Sequence, residues 1–213
     1  MSLSLWRMHD AEPRGVFPVT PREAPTWNER GHGIFWTVNE FSGPRKVENL
    51  SRIRAWAIDI DDGTKEEQEE RIQRSPLVPS LVVESKNGYH VYWSAADGTA
   101  ENWHAIVTDR LVPFFGADPR ARDIARILRA TGYAHMKNPA APFIVRPVHR
   151  WKVAYTEAQM LRALPRAYRQ RAREEQHVDK LAAFTGCPMH GSAIRRRDEA
   201  WRPARRAATH RPR

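Results

Sequence analysis

The sequence predicts an α+β domain with a central, mainly antiparallel sheet flanked by helices, and three observations carry that reading. Residues 31–39 and 54–60 are rich in β-branched and aromatic side chains, as strands are. Asn87-Gly88 separates two β-prone runs, 80–86 and 89–93, which is a strong short-range hairpin signal. Trp103, Ile106, Val107 and Leu111 recur at helical spacing within 99–112, giving a helix with one apolar face to lay on the sheet.

Length and composition set the organisation. A chain of 213 residues that is 41% hydrophobic and carries eight Trp has material for one sizeable core. The expected division is a domain over 1–165, with its motif-bearing core at 31–155, and a basic, helical to disordered extension over 166–213. No apolar run approaches the ~20 residues that span a bilayer. The first residues lack the apolar region of a secretory signal, so the expected location is the cytoplasm, with no membrane partner. Cys187, the single cysteine, has no internal disulfide partner. The net charge of +10 is uneven: residues 145–213 hold 17 Lys and Arg against 6 Asp and Glu, or +11, so the preceding 144 residues carry −1. A phosphate-rich polymer is the partner such a segment fits, with a solubilising tail as the alternative.

In chain order, residues 1–30 carry Pro13, Pro18, Pro21 and Pro25 without periodicity and are expected to wrap the surface. The strand at 31–39, closed by Ser42-Gly43-Pro44, is expected in one sheet with the strand at 54–60, a basic connector lying between them. Period-two alternation puts Asp59 and Asp61 on one face and Trp56, Ile58 and Ile60 on the other. The two carboxylates then lie about 7 Å apart along the strand. They repel unless a cation intervenes, and hard oxygen ligands suit Mg²⁺ or Mn²⁺. The alternative is that Asp61-Asp62-Gly63 only ends the strand in a turn. Residues 64–72 are helical by propensity, with acidic residues suited to the N-terminus.

A two-residue type I′ loop at Asn87-Gly88 would pair Lys86 with Tyr89 and set Ser85 opposite His90 on the same face. A lone strand histidine is more often structural; a hydroxyl opposite it and an Asp-x-Asp strand in the same domain raise its interest. Asp118-Pro119 reads as a turn or helix start. Asp123, Arg126, Arg129 and Lys137 then gather one carboxylate and several cations, as a third metal ligand beside phosphate-binding groups would, or as an exposed segment of paired charges would. Residues 143–146 and 151–155 read as a closing hairpin, and Thr156-Glu157-Ala158-Gln159 as a capping box opening a helix that Pro165 ends. Cys187-Pro188-Met189-His190-Gly191 looks like half a zinc knuckle, but a lone cysteine falls short of four ligands.

Taken in order, Asp59-Ile60-Asp61, then Ser85-Lys86-Asn87-Gly88-Tyr89-His90-Val91-Tyr92-Trp93, then Asp118-Pro119 through Asp123, Arg126 and Arg129 to Lys137, resemble the three motifs of the archaeo-eukaryotic primase superfamily. The variety most resembled is the plasmid and phage primase-polymerases with a RepB-like primase domain, and the resemblance covers about residues 31–155. It implies a DNA primase or primase-polymerase that performs template-directed, metal-dependent nucleotidyl transfer in phage or plasmid replication. Asp59, Asp61 and Asp123 would bind two Mg²⁺ or Mn²⁺ ions, and His90 would contact the phosphates of the incoming nucleoside triphosphate. Ser85, Lys86, Arg126, Arg129 and Lys137 complete the expected nucleotide site. A single-stranded DNA template would be held through Arg45, Lys46, Arg52, Arg54 and the basic C-terminal third, including Arg169, Arg171 and Arg173. The third motif departs from the family's Arg-x-Pro-Gly-Thr-x-Asn-x-Lys in having Thr131 and His135 at the Pro and Asn positions, which leaves the role of His135 open. No P-loop is present in the sequence, so the expectation is a stand-alone primase or one that borrows a partner's helicase. The competing functional classes are a non-catalytic replication-initiator or DNA-binding module of the same fold, and a metal-dependent nuclease.

Overall fold

The strand around Asp59 forms because large apolar groups (Trp56, Ile58, Ile60) alternate with the small Ala55 and Ala57 and with Asp59 itself, giving a thick face and a thin one. In the computed structural model, which describes residues 4–166, it is β6 (Ala55–Ile60). It is preceded by β1 (Leu5–His9), β2 (Phe17–Val19), α1 (Ala24–Glu29), β3 (His32–Thr37), β4 (Glu40–Phe41) and β5 (Leu50–Arg52). After it come α2 (Lys65–Gln73), β7 (Leu81–Glu84), β8 (Tyr89–Ala95) and α3 (Ala100–Trp103), the last continuing through a wide π-helical run, His104–Leu111, into α4 (Val112–Phe115). Then follow β9 (Ile127–Arg129), β10 (Ala134–His135), β11 (Phe143–Ile144), β12 (Arg146–Arg150), β13 (Ala154–Tyr155) and α5 (Glu157–Ala163).

Two sheets dominate. In the five-stranded one, β8 is central: β6 pairs along one edge, β7 along the other with β12 beyond it, and β13 runs parallel to the end of β8. In the four-stranded sheet the order is β2-β1-β3-β9, all antiparallel. The α+β architecture with a mainly antiparallel sheet is therefore as the sequence indicates. Trp56, Ile58 and Ile60 point into the main core with Val91 and Trp93 of β8, and the helical run covers them with Ile106, Val107, Leu111 and Phe115. Capping boxes at Thr64 with Glu67 and at Thr156 with Gln159 start α2 and α5, and α5 adds Met160 to the same core.

The other face of the main sheet is covered as well. Ala55 and Ala57 on β6 pack with Val83, Tyr92, Leu128, Val38 and Val145 in a second core. Alanines on that face let the four-stranded sheet approach, and the Trp36 indole N–H donates to the Tyr92 hydroxyl across the gap at 3.1 Å. The reactive groups are thus confined to the rim, at the end of β6.

Three expectations are corrected. Residues 1–30 do not simply wrap the domain: β1 is an interior strand of the four-stranded sheet, and Pro18 sits on its edge strand β2, where a missing N–H is tolerated. The strand at 31–39 lies in that sheet and not beside β6. Residues 143–155 do not form a hairpin, since β11 pairs with β10, β12 with β7 and β13 with β8.

The β7–β8 hairpin is real, but its register is shifted by two residues. Glu84 pairs with Tyr89 and Val83 with His90, leaving the four-residue loop Ser85-Lys86-Asn87-Gly88. Neither Asn87 nor Gly88 has a positive φ. Gly88 is required for another reason: a Cβ there would lie 1.7 Å from the Ile60 carbonyl oxygen, so only glycine lets the loop cross the end of β6. Ser85 consequently does not stand opposite His90. Its hydroxyl closes the loop, donating to the Gly88 carbonyl at 3.1 Å and accepting the Gly88 N–H at 3.2 Å. Among the described residues no helix is long and apolar enough to cross a membrane.

Candidate active site

β6 and β8 bring the first two motifs together by pairing. Asp59 lies directly across the ladder from His90, with His90 Nε2 3.6 Å from Asp59 Oδ1. Asp61, one residue beyond the strand, is exposed. The third motif arrives through the backbone: the Asp118 N–H donates to the Asp59 carbonyl at 2.8 Å, docking the Asp118-Pro119 turn on the same strand end. The Asp118 carboxylate caps the short helix Pro119–Arg122, accepting the Arg120 backbone N–H at 2.9 Å and the Arg120 Nε at 3.2 Å, with Arg126 Nη2 4.0 Å from its second oxygen.

The acids share one electrostatic field. Burial pushes Asp59 up to about 6, with Asp118 adding to the rise and Arg126, Arg129 and Arg120 opposing it. Asp61 is also raised, by burial, then by Asp59 and Asp118. Burial would raise Asp118 too, but the hydrogen bonds and charge of Arg120, with Arg126 behind them, hold it below the usual carboxylate range. Asp123 is placed differently: its carboxylate is exposed and accepts the Ala125 N–H at 2.9 Å in a local turn, and it is not among the leading charges acting on Asp59 or Asp61. The sequence reading took Asp118 only as a turn or helix start, because a carboxylate before proline reads as a cap, which it is. Among the described residues no three His, Cys, Asp or Glu side chains form a ready metal cage. The donor set nonetheless fits a hard divalent cation: Asp59, Asp61 and Asp118 offer carboxylate oxygens, and burial together with the neighbouring carboxylates raises the pKa of the first two, a cost that a cation would offset.

His90 is fully enclosed. Burial, followed by the charges of Arg129, Arg126 and Lys65, lowers its pKa to about 3 against the pull of Asp61, so the ring is neutral at physiological pH. Its Nδ1 is buried without a hydrogen-bond partner. Lys65, which sequence reasoning passed over as part of a solvated helix, ties α2 to the hairpin loop by donating to the Ser85 and Gly88 carbonyls at 2.7 and 2.9 Å. Lys86 and Lys137 act on buried His135, whose basicity falls through burial and then Arg129, before these two.

The expected DNA-contacting residues divide. Arg45 is bound into the framework, donating to the Ala125 carbonyl, and Arg54 pairs with Glu40 at 3.1 Å. Arg52 is exposed, and Lys46 is exposed in a loose pair with Glu48 at 3.8 Å. Arg169, Arg171, Arg173 and the Cys187–190 stretch lie outside the described residues.

Comparison with known proteins bears on the family and the fold. The family model described as the RepB DNA-primase N-terminal domain matches residues 40–182. A replication protein of Clostridium perfringens is 29% identical over 120 residues, covering 49% of this chain but only 30% of that protein. Among solved structures, the AEP domain of the cyanophage S-2L primase-polymerase superposes with a TM-score of 0.66 at 19% identity, over 76% of this chain and 89% of that one. The primase RepB′ gives 0.54 at 16% identity, over 85% of this chain and 63% of that one. The catalytic domain of RepB′ in complex with initiator DNA gives 0.52 at 15% identity, over 82% and 89%. At these identities the likeness is one of fold.

Proposed function

Because the chain belongs to the RepB DNA-primase N-terminal domain family, we propose that this primase-like replication domain is catalytically active, joining nucleotides on a single-stranded DNA template. The observation that carries the reading is the docking of the Asp118 turn, through its backbone, on the end of β6, where Asp59 faces buried His90 and Asp61 follows. In this reaction a 3′-hydroxyl oxygen bonds to the α-phosphorus of a nucleoside triphosphate and pyrophosphate leaves. Mg²⁺ or Mn²⁺ ions held by Asp59, Asp61 and Asp118 would supply Lewis acidity to the hydroxyl and neutralise charge on the phosphates. Asp118 takes the role that the resemblance gave to Asp123.

The chain's own groups have distinct tasks. A neutral imidazole retains one N–H, and in a water-poor site His90 would donate it to a phosphate oxygen. Arg126 adds positive charge from the rim, with Lys86 and Lys137 on the His135 side. Ser85 acts indirectly, by closing the loop that leads into His90. The template would be held through exposed cations such as Arg52 and Lys46 and through the basic residues beyond 166.

The test is incorporation of labelled nucleotide with Mn²⁺ and a single-stranded template, wild type beside Asp59→Asn. Template-dependent products from the wild type alone are expected. Degradation of the template, or binding without products, would overturn the reading in favour of a nuclease or a non-catalytic module.

A further inference from the structure

Asp10 follows β1 directly, and its side chain is completely buried. Its Oδ1 lies 2.7 Å from Arg129 Nη2 and its Oδ2 3.3 Å from Arg129 Nη1, while Oδ2 also accepts the Met136 N–H at 2.7 Å. β3 makes room for the pair with Gly33: a Cβ there would come 2.5 Å from Arg129 Nη1 and 2.6 Å from Asp10 Oδ1. Phe35, two residues along, packs its ring 4.9 Å from the guanidinium carbon. A buried ion pair is a poor device for stability alone, since apolar replacements of similar volume often do as well or better. Asp10 engages two of the guanidinium N–H groups through Nη1 and Nη2, of the five that arginine carries. The Arg129 side chain remains 15% exposed, so part of the fork is left for another oxyanion. Arg129 is also the charge that most depresses the basicity of His90 and of His135 after burial, and it acts on Asp59.

We propose that Asp10 is a positioning residue for the nucleotide-binding side of the site: its carboxylate fixes the Arg129 fork and the Met136 amide in one arrangement. The segment that supplies it lies outside the family match at 40–182. The inference rests on the nucleotidyl-transfer reading and adds to it a residue from the N-terminal strand.

The experiment uses the full chain and reads nucleoside triphosphate affinity by titration with Mn²⁺, together with KM, kcat, template affinity and Tm. Asp10→Asn keeps the shape but removes the charge and leaves one N–H donor facing an amide hydrogen. Its nucleotide Kd and KM are expected to rise about tenfold, a typical effect of removing a charge-assisted hydrogen bond, with kcat within about twofold and template affinity unchanged. Arg129→Lys, which keeps the charge but not the fork, is expected to match it, and the double variant to be no worse than the weaker single. Unchanged nucleotide Kd and KM in either single variant, with only a lower Tm, would overturn the proposal; if Asp10→Asn does not fold, Arg129→Lys alone decides. If the wild type binds nucleotide but never incorporates it, the activity reading fails, and the binding comparison still judges Asp10.

Discussion

Asp59 and His90 are cross-strand partners, 3.6 Å apart at the end of β6, and each is held away from its usual ionisation by the same burial. Asp59 has its pKa raised to about 6 in the folded protein, above its unfolded value. Below about pH 4 both states are protonated and the group is neutral in its effect on stability. Between about pH 4 and 6 the unfolded chain ionises first, so stability falls as pH rises, by at most about 3 kcal/mol from a two-unit shift. Asp59→Asn should abolish this loss, and Mn²⁺ should raise the wild-type Tm above pH 6 but not that of the variant. Thermal melts from pH 4 to 8, with and without Mn²⁺, measure both effects; an equal metal response in the two proteins would remove Asp59 from the ligand set.

His90 has the opposite linkage. Its pKa is lowered to about 3 in the fold, so as pH falls from about 6.5 the unfolded chain takes up a proton that the folded one refuses, and stability falls. His90→Gln should flatten this acid limb and weaken nucleotide use more than template binding. Urea melts between pH 4 and 7 follow the first effect, and nucleotide and template titrations the second. Equal loss of both affinities would make His90 a structural residue.

The two acids of the third motif should separate cleanly. Asp118→Asn is expected to reduce incorporation by at least about a hundredfold, as removal of a group acting on the transition state does. Asp123→Asn should change it less than about threefold, a local turn contact being worth roughly 1 kcal/mol or less. Incorporation rates for the two variants decide between them, and the reverse order would restore the assignment implied by the motif alone.

Gly88→Ala should destabilise the domain by more than about 3 kcal/mol, because the new methyl meets the Ile60 backbone and not a movable side chain. Asn87→Ala, at an exposed position without positive φ, should cost under about 0.5 kcal/mol. Denaturant melts compare the two. A large cost at Asn87 would mean that the loop's own turn chemistry matters more than its crossing of β6.

Removing residues 168–213 deletes 12 of the 17 basic residues that follow residue 144. Template affinity should fall and its salt dependence flatten, the log–log slope dropping by about 0.7 for every single-strand phosphate that the shortened chain no longer neutralises. Binding at several salt concentrations measures this; an unchanged slope would make the segment a solubilising tail.

What the sequence made legible was local. Period-two patterning gave the two faces of β6, propensity gave α2, the capping box at Thr156 gave the start of α5, and motif order gave the family. What escaped it was set by distant partners. β1 and β2 are five and three residues long, too short for a pattern, and stand only because β3 pairs with β1. The hairpin register was misread because Asn-Gly signals a left-handed turn, whereas Gly88 is demanded by β6, twenty-eight residues earlier. Asp10 and Lys65 gained their roles from groups 119 and 20 or more residues away, which no local window reveals.

Ala55 and Ala57 set a tolerance as well as filling a core. They lie on the β6 face that meets Tyr92, Val83 and Leu128, and Ala57 is only two residues from Asp59 on that same face. Close-packed interiors transmit a change of one methylene. A valine at position 57 would therefore act as a wedge between the layers, and the tilt it forces would be felt as a displaced carboxylate two residues on, so the rim tolerates little added volume at this quiet apolar position.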